Sequence, residues 1–137
     1  MEEQELVIEP NGEYKNITIK TRYKWSSQTK QFEFDSEGNK IVTKQGLKPD
    51  HYIDVVKGDF SAGREVPGQY GVNYSCTVVY KGEKVSFWLN NEWVAKAFEE
   101  AGEGGTPIRI SCVLENKLNK KLGVKVPVEV LKFEAIN

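Results

Sequence analysis

The chain has 137 residues, 28% of them charged, with 19 Lys and Arg against 20 Asp and Glu and a formal net charge of -1. That length predicts one domain, 1–137, with enough interior for a real core, and the balanced charge excludes a basic field over the whole protein. The charge is uneven, however: residues 1–10 hold Glu2, Glu3, Glu5 and Glu9 and no base, whereas residues 11–48 hold eight bases against four acids.

Residues 1–12 are expected to be an acidic, flexible N-terminus, without the apolar segment of a signal peptide. No apolar run approaches membrane-spanning length, so no membrane association is expected. Residues 13–47 read as an antiparallel meander. In "YKNITIKTRYKW", Ile17, Ile19, Thr21, Tyr23 and Trp25 share one parity, and Asn16, Thr18, Lys20, Arg22 and Lys24 share the other. That alternation predicts a half-buried strand with a basic outer ladder. "SSQT" predicts a turn, Phe32 and Phe34 a second strand, Asp35 to Asn39 a turn, and Ile41 to Thr43 a short strand. The Gly and Pro of "KQGLKPD" mark a soft boundary, after which residues 48–137 form the main body.

"HYIDVVKGDF" predicts a strand, and "SAGREVPGQYG" a long loop. A hairpin follows at about 71–90. Its turn is expected at Gly82-Glu83, with Gly first, pairing Tyr80 with Val85, Val78 with Phe87 and Thr77 with Trp88. One face then collects Cys76, Val78, Tyr80, Val85, Phe87 and Leu89; the other collects Ser75, Thr77, Val79, Lys81, Lys84, Ser86 and Trp88. The first is a core face. The second is polar and basic, yet it carries Trp88. "NNEWVAKAFEEAGEGG" predicts a helix capped by Asn90 or Asn91, with Trp93, Val94, Ala97, Phe98 and Ala101 as its apolar stripe and glycines at its end. "TPIRISCVLENK" predicts a strand with Ile108, Ile110, Cys112 and Leu114 inward, "ENKLNKKLGVK" a lysine-rich loop or flexible hairpin end, and "VPVEVLKFEAI" a last strand. The parity change at Val130-Leu131 predicts a bulge or burial on both faces.

Cys76 and Cys112 both fall on apolar strand parity. They are expected to be reduced core thiols of an intracellular, cytoplasmic protein. The sequons at Asn16 and Asn73 carry no weight without a secretory context. Catalysis finds little footing. His51 is the only histidine, no Cys/His set has metal-ligand spacing, "GEGG" follows a helix instead of preceding one, and Glu99-Glu100 read as solvated surface. No enzyme activity and no cofactor are expected.

From residue 51 onward the order is strand, long loop, hairpin, helix, strand, basic loop, strand. That order resembles the OB-fold, a five-stranded Greek-key barrel with one α-helix between strands 3 and 4. The resemblance covers about residues 51–137 and rests on element order and core parity, with the N-terminal antiparallel meander as an addition. It implies a mainly β protein that binds single strands on the outer face of strands 2 and 3 and on two flanking loops. In this chain that surface comprises Thr77, Val79, Ser86 and Trp88, with Lys81 and Lys84 at the turn. The first loop adds Arg64 and Tyr70, the second Lys117, Lys120, Lys121 and Lys125. The ladder Lys20, Arg22 and Lys24 is a further basic candidate.

The implied ligand is single-stranded DNA, with RNA as the alternative. An indole stacks on any base, and lysines attract phosphate without reading sequence. Competing readings are plain ones. Trp88 packs under the meander's Tyr23, Trp25, Phe32 and Phe34; Trp25 and Trp93 belong to the core, since each continues an apolar periodicity; the lysine loop only aids solubility; the ladder is solvated surface. In the rival of a different class, the barrel is a protein-interaction or structural module whose exposed aromatics meet another polypeptide or a second copy of the chain.

Overall fold

The computed structural model describes residues 1–58, 64–68 and 71–136. The protein is mainly β with one α-helix. In chain order the strands are β1 (Glu2–Glu3), β2 (Glu9–Asn11), β3 (Tyr14–Asn16), β4 (Arg22–Tyr23), β5 (Trp25–Ser26), β6 (Gln31–Phe32), β7 (Val42–Lys44), β8 (His51–Lys57), β9 (Arg64–Gly68), β10 (Gly71–Tyr80) and β11 (Glu83–Leu89). Helix α1 (Glu92–Glu100) follows, then β12 (Pro107–Asn119) and β13 (Val124–Ala135).

The main sheet runs β13-β12-β8-β10-β11-β3-β2, with β1 added to β8 and β9 to β10. Among the described residues no backbone pairing joins β13 back to β11, so the path is open. One of its faces gathers Ile53 and Val55 from β8, Cys76, Val78 and Tyr80 from β10, Val85, Phe87 and Leu89 from β11, and Ile108, Ile110 and Cys112 from β12, all buried. Phe98 of α1 closes one end, in perpendicular ring contact with Phe87 and Phe133 at 5.5 Å each. Burying each of these large side chains contributes about 1.5–3 kcal/mol.

The β10–β11 hairpin keeps the expected faces but not the expected turn. Lys81 and Gly82 occupy the turn, both with positive φ (51° and 78°), as a type I′ turn requires. Tyr80 therefore pairs with Glu83, Val78 with Val85, Thr77 with Ser86 and Ser75 with Trp88. Each partner moves by two residues, and an even shift leaves every side chain on its original side.

The acidic tip is not a free tail. Residues 2–3 pair in parallel with β8, Leu6 is buried, and its N–H donates to the Tyr80 hydroxyl at 3.0 Å. The Gln4 side chain bridges two chain segments, donating to the Gly46 carbonyl and accepting from the Lys48 N–H, each at 2.8 Å. A buried leucine and satisfied backbone hold the tip down more firmly than its glutamates repel it.

The meander is not one sheet. Its first strand ends at Asn16, after which Ile17 and Ile19 turn into the core and Leu47 N–H donates to the Ile19 carbonyl at 2.7 Å. Residues 22–44 then form two short ribbons, β4–β7 and β5–β6, outside the main sheet. Gly46 is the tight point between them and the core: a Cβ there would lie 2.5 Å from the Ile19 carbonyl oxygen and 2.5 Å from the Thr21 nitrogen. Neither is a side-chain end that can swing away. Gly46→Ala is expected to destabilise the protein by about 1–3 kcal/mol, read as a melting temperature several degrees lower; an unchanged melt would mean that the 19–21 segment is not clamped there.

Helix α1 begins at Asn91, whose Oδ1 accepts from the Trp93 and Val94 N–H groups at 2.8 and 3.3 Å. Its buried stripe is rotated from the expected one. Ala95 and Phe98 are buried, Val94 and Ala101 half-buried, whereas Trp93 is 76% exposed and Ala97 also faces solvent. The apolar residues at 93–95, 97, 98 and 101 fit two overlapping stripes, and the one centred on Phe98 against Phe87 and Phe133 prevails.

The helix's far end is capped from the core. Lys57 is 1% exposed, and its Nζ donates to the carbonyls of Phe98 (2.9 Å), Glu99 (3.0 Å) and Gly102. A cation at a helix C-terminus meets the negative end of the dipole as well as orphan carbonyls. Burial still holds its pKa below the ordinary lysine value, with Glu99 pulling the other way.

Of the two expectations for the lysine-rich segment, the hairpin end holds and the loop does not. β12 and β13 pair without interruption from Ile108–Ala135 to Asn119–Val124, so there is no bulge. Val130 and Leu131 are each half-buried on opposite faces. Beyond Cys112, the last β12 residue paired with β8, the ribbon continues as a two-stranded arm about 20 Å long. Its tip is the turn 120–123, closed by Asn119 Oδ1 accepting from Lys121 and Leu122 N–H at 3.0 and 3.1 Å. Polar residues on both sides hid this strand, because backbone pairing holds it and not a buried face.

Candidate nucleic-acid interface

β10 and β11 present an outer face whose central pair is Thr77 opposite Ser86, both half-buried, followed by Ser75 opposite Trp88. The strands put Trp88 outward because Phe87 and Leu89, its neighbours in sequence, are fixed in the core. Trp88 is 38% exposed. Residues 17–22 of the meander lie beside it without closing it off from solvent. Strand β3 joins the edge of β11 in parallel, with Asn16 beside Ser86, and the chain then turns along one side of the indole.

The result is a groove of about 490 Å³ lined by Ile17, Thr18, Ile19, Lys20, Thr21, Arg22, Asn73, Trp88, Leu89 and Asn90. That volume lies within the range of small-ligand clefts, about 300–1,000 Å³. Trp88 supplies a large apolar surface. Thr18, Thr21, Asn73 and Asn90 supply donors and acceptors, and Lys20 and Arg22 supply charge. Among the described residues neither cation has a carboxylate within 4.0 Å, whereas Lys15, Lys24, Lys44 and Lys81 do.

The other candidates are distributed as follows. Lys24 is paired with Glu33 at 3.6 Å and does not line the groove. Lys81 sits in the hairpin turn and is bound by Glu5 of the acidic tip at 2.8 Å; that contact lowers the Glu5 pKa and raises that of Lys81. Lys84 stands opposite Val79, exposed, on the same outer face. Lys117 lies on the projecting arm and Lys120 and Lys121 in its turn, exposed and outside the groove lining. Arg64 begins β9, its backbone opposite Ser75. Tyr70 lies outside the described residues.

Of the expected site, then, the fold brings Trp88, Lys20 and Arg22 together and leaves the arm lysines apart. Thr18, Thr21, Asn73 and Asn90 were not foreseen. The alternating strand pattern pointed to Thr18 on the same parity as Lys20 and Arg22, but nothing in the sequence announced that this ladder would run beside Trp88. Trp25 and Trp93, expected in the core, are 54% and 76% exposed.

Among the described residues no group of three or more His, Cys, Asp or Glu is placed to hold a metal ion, and no helix is long and apolar enough to cross a membrane. His51 Nδ1 contacts the Pro49 carbonyl at 2.8 Å and its Nε2 lies 3.6 Å from Glu2, a structural placement at the start of β8. Comparison with protein-family models, with curated proteins and with solved structures found no match to this chain.

Proposed function

We propose that this protein binds single-stranded nucleic acid, DNA in the first place, with little sequence preference, and that it acts on exposed strands in replication, repair or recombination without catalysing a reaction. The observation that carries this reading is the company Trp88 keeps: an exposed indole shares one groove with two cations, Lys20 and Arg22, that no carboxylate among the described residues approaches within 4.0 Å. A base stacked on the indole gains about 1–3 kcal/mol, while the cations release counterions from the phosphates. The same reading takes the five long strands β8, β10, β11, β12 and β13, with α1 between the third and fourth, as an OB-like architecture; such barrels are partly open. Glu5 on Lys81 works against phosphate at the hairpin tip, which concentrates the binding charge in the groove.

Titration of the intrinsic tryptophan fluorescence with a 20-nucleotide single strand tests this. Quenching that is weaker for duplex and falls steeply between 50 and 200 mM salt is the expected result. No response at low salt would refute it.

One observation favours a rival. Leu114, Leu118, Leu122 and Val124 stand exposed on the β12–β13 arm, which suits contact with another polypeptide. Concentration-dependent self-association without oligonucleotide quenching would favour that alternative.

A further inference from the structure

The β4–β7 and β5–β6 ribbons carry a second aromatic surface that the groove does not include. Trp25 meets Phe32 at 5.0 Å between centroids and 83° between planes, and Tyr23 meets the same ring at 6.1 Å and 79°. Lys40 Nζ lies over Phe32, 4.3 Å from its centroid. Phe32 and Tyr23 are half-buried and hold the ribbons together. Trp25 shares that contact yet is 54% exposed, and Phe34 is 55% exposed. A perpendicular contact covers at most one face of the indole, so Trp25 keeps a stacking face in solvent.

Three observations say what this face is for. The segment that carries it is basic, with seven bases against three acids over residues 20–48, of which Lys24 and Lys44 are paired with Glu33 and Glu9. Lys40 already lies over the Phe32 and Tyr23 rings, within reach of a phosphate beside them. The position is also continuous with the groove: Arg22 lines it, and the Cα of Trp25, three residues on, lies within about 11 Å of that of Arg22. An apolar protein partner would have to cover the Lys40 cation; a polyanion with π-faces finds a cation beside an exposed ring.

The geometry points to Trp25 as a second stacking platform, on which a single strand leaving the Trp88 groove past Arg22 lays a further base. This rests on the reading of the groove as a nucleic-acid site and extends it to a longer ligand. It also gives the ribbons a role: they lengthen the binding track.

Because the chain has three tryptophans, Trp25, Trp88 and Trp93, three single-tryptophan proteins separate the possibilities, each made by Trp→Phe substitutions that retain an aromatic ring. Each is titrated with oligothymidylates of 4 and 12 nucleotides. The Trp88-only protein is expected to respond to both, the Trp25-only protein to the 12-mer alone, and the Trp93-only protein to neither. A silent Trp25 beside a responding Trp88 overturns the second platform and leaves the groove intact. Silence at both overturns the groove reading itself. A response at Trp25 without one at Trp88 overturns the continuous track, and an equal response at Trp93 marks non-specific quenching and overturns both. As a check in the otherwise unaltered chain, Trp25→Ala is expected to weaken 12-mer binding at least about fivefold and to leave 4-mer binding unchanged. Equal losses for the two lengths would refute the extension.

Discussion

Trp88→Ala is expected to weaken binding of a 20-nucleotide single strand by roughly five- to a hundredfold, the equivalent of losing one stacked base at about 1–3 kcal/mol. The fold should tolerate the change. Trp88 lies on the outer face, opposite Ser75, and is not part of the buried cluster. The loss should appear as a drop in affinity at every salt concentration, with the slope of log K against log salt preserved, because an indole neutralises no phosphate. Lys20→Ala and Arg22→Ala should do the reverse. Each lowers affinity at low salt and flattens the slope by about 0.7, the contribution of one phosphate contact on a single strand. A Trp88→Ala protein with full affinity and a lower melting temperature would make Trp88 a packing residue and remove the groove from consideration.

The second large effect is expected at Lys57. Lys57→Met keeps the length and apolar stem of the side chain but removes the donor for three carbonyls at the end of α1. Each buried acceptor left without a partner costs about 1–3 kcal/mol, and water replaces the lysine partly at Glu99 and Gly102, where the surroundings are only part-buried. A net loss of about 3 kcal/mol is expected, or roughly 10 °C in melting temperature for a domain of this size. Lys57 is buried and does not line the groove, so the affinity of the folded protein for a single strand should not change. A melting temperature within a degree or two of the parent would mean that the buried ammonium costs as much as its hydrogen bonds return.

Much of the body was legible from alternation alone. The buried faces of β8, β10 and β11 follow from apolar parity, and the parity survived a misplaced turn because the error was an even number of residues. What hid the turn was Lys81 at positive φ, a conformation that lysine's local preferences do not advertise. Lys57 was visible in principle: in "HYIDVVK" it shares the parity of Ile53 and Val55, and only its charge argued against burial. Trp25 and Trp93 failed in the opposite direction. Each continued an apolar pattern, but the strand holding Trp25 breaks before reaching it and the helix rotates Trp93 outward. The groove itself was half legible. Trp88 stood out by its face and the Lys20–Lys24 ladder by its spacing, whereas their meeting depends on β3 choosing the edge of β11, a long-range pairing of one residue with one residue that no local signal encodes.

The two cysteines have a consequence for how this chain meets its surroundings. Cys76 and Cys112 are 0% and 1% exposed, and burial pushes their thiols up to about 12 and about 11. At neutral pH only roughly one Cys112 in ten thousand carries the reactive thiolate, and fewer at Cys76. To an oxidant or an alkylating reagent the folded molecule presents two small apolar fillers. Reaction at either sulfur must wait for the sheet to open, so its rate is a clock for unfolding and not a gauge of redox poise. In the folded state, burial and not the compartment's oxidising strength governs access to either sulfur.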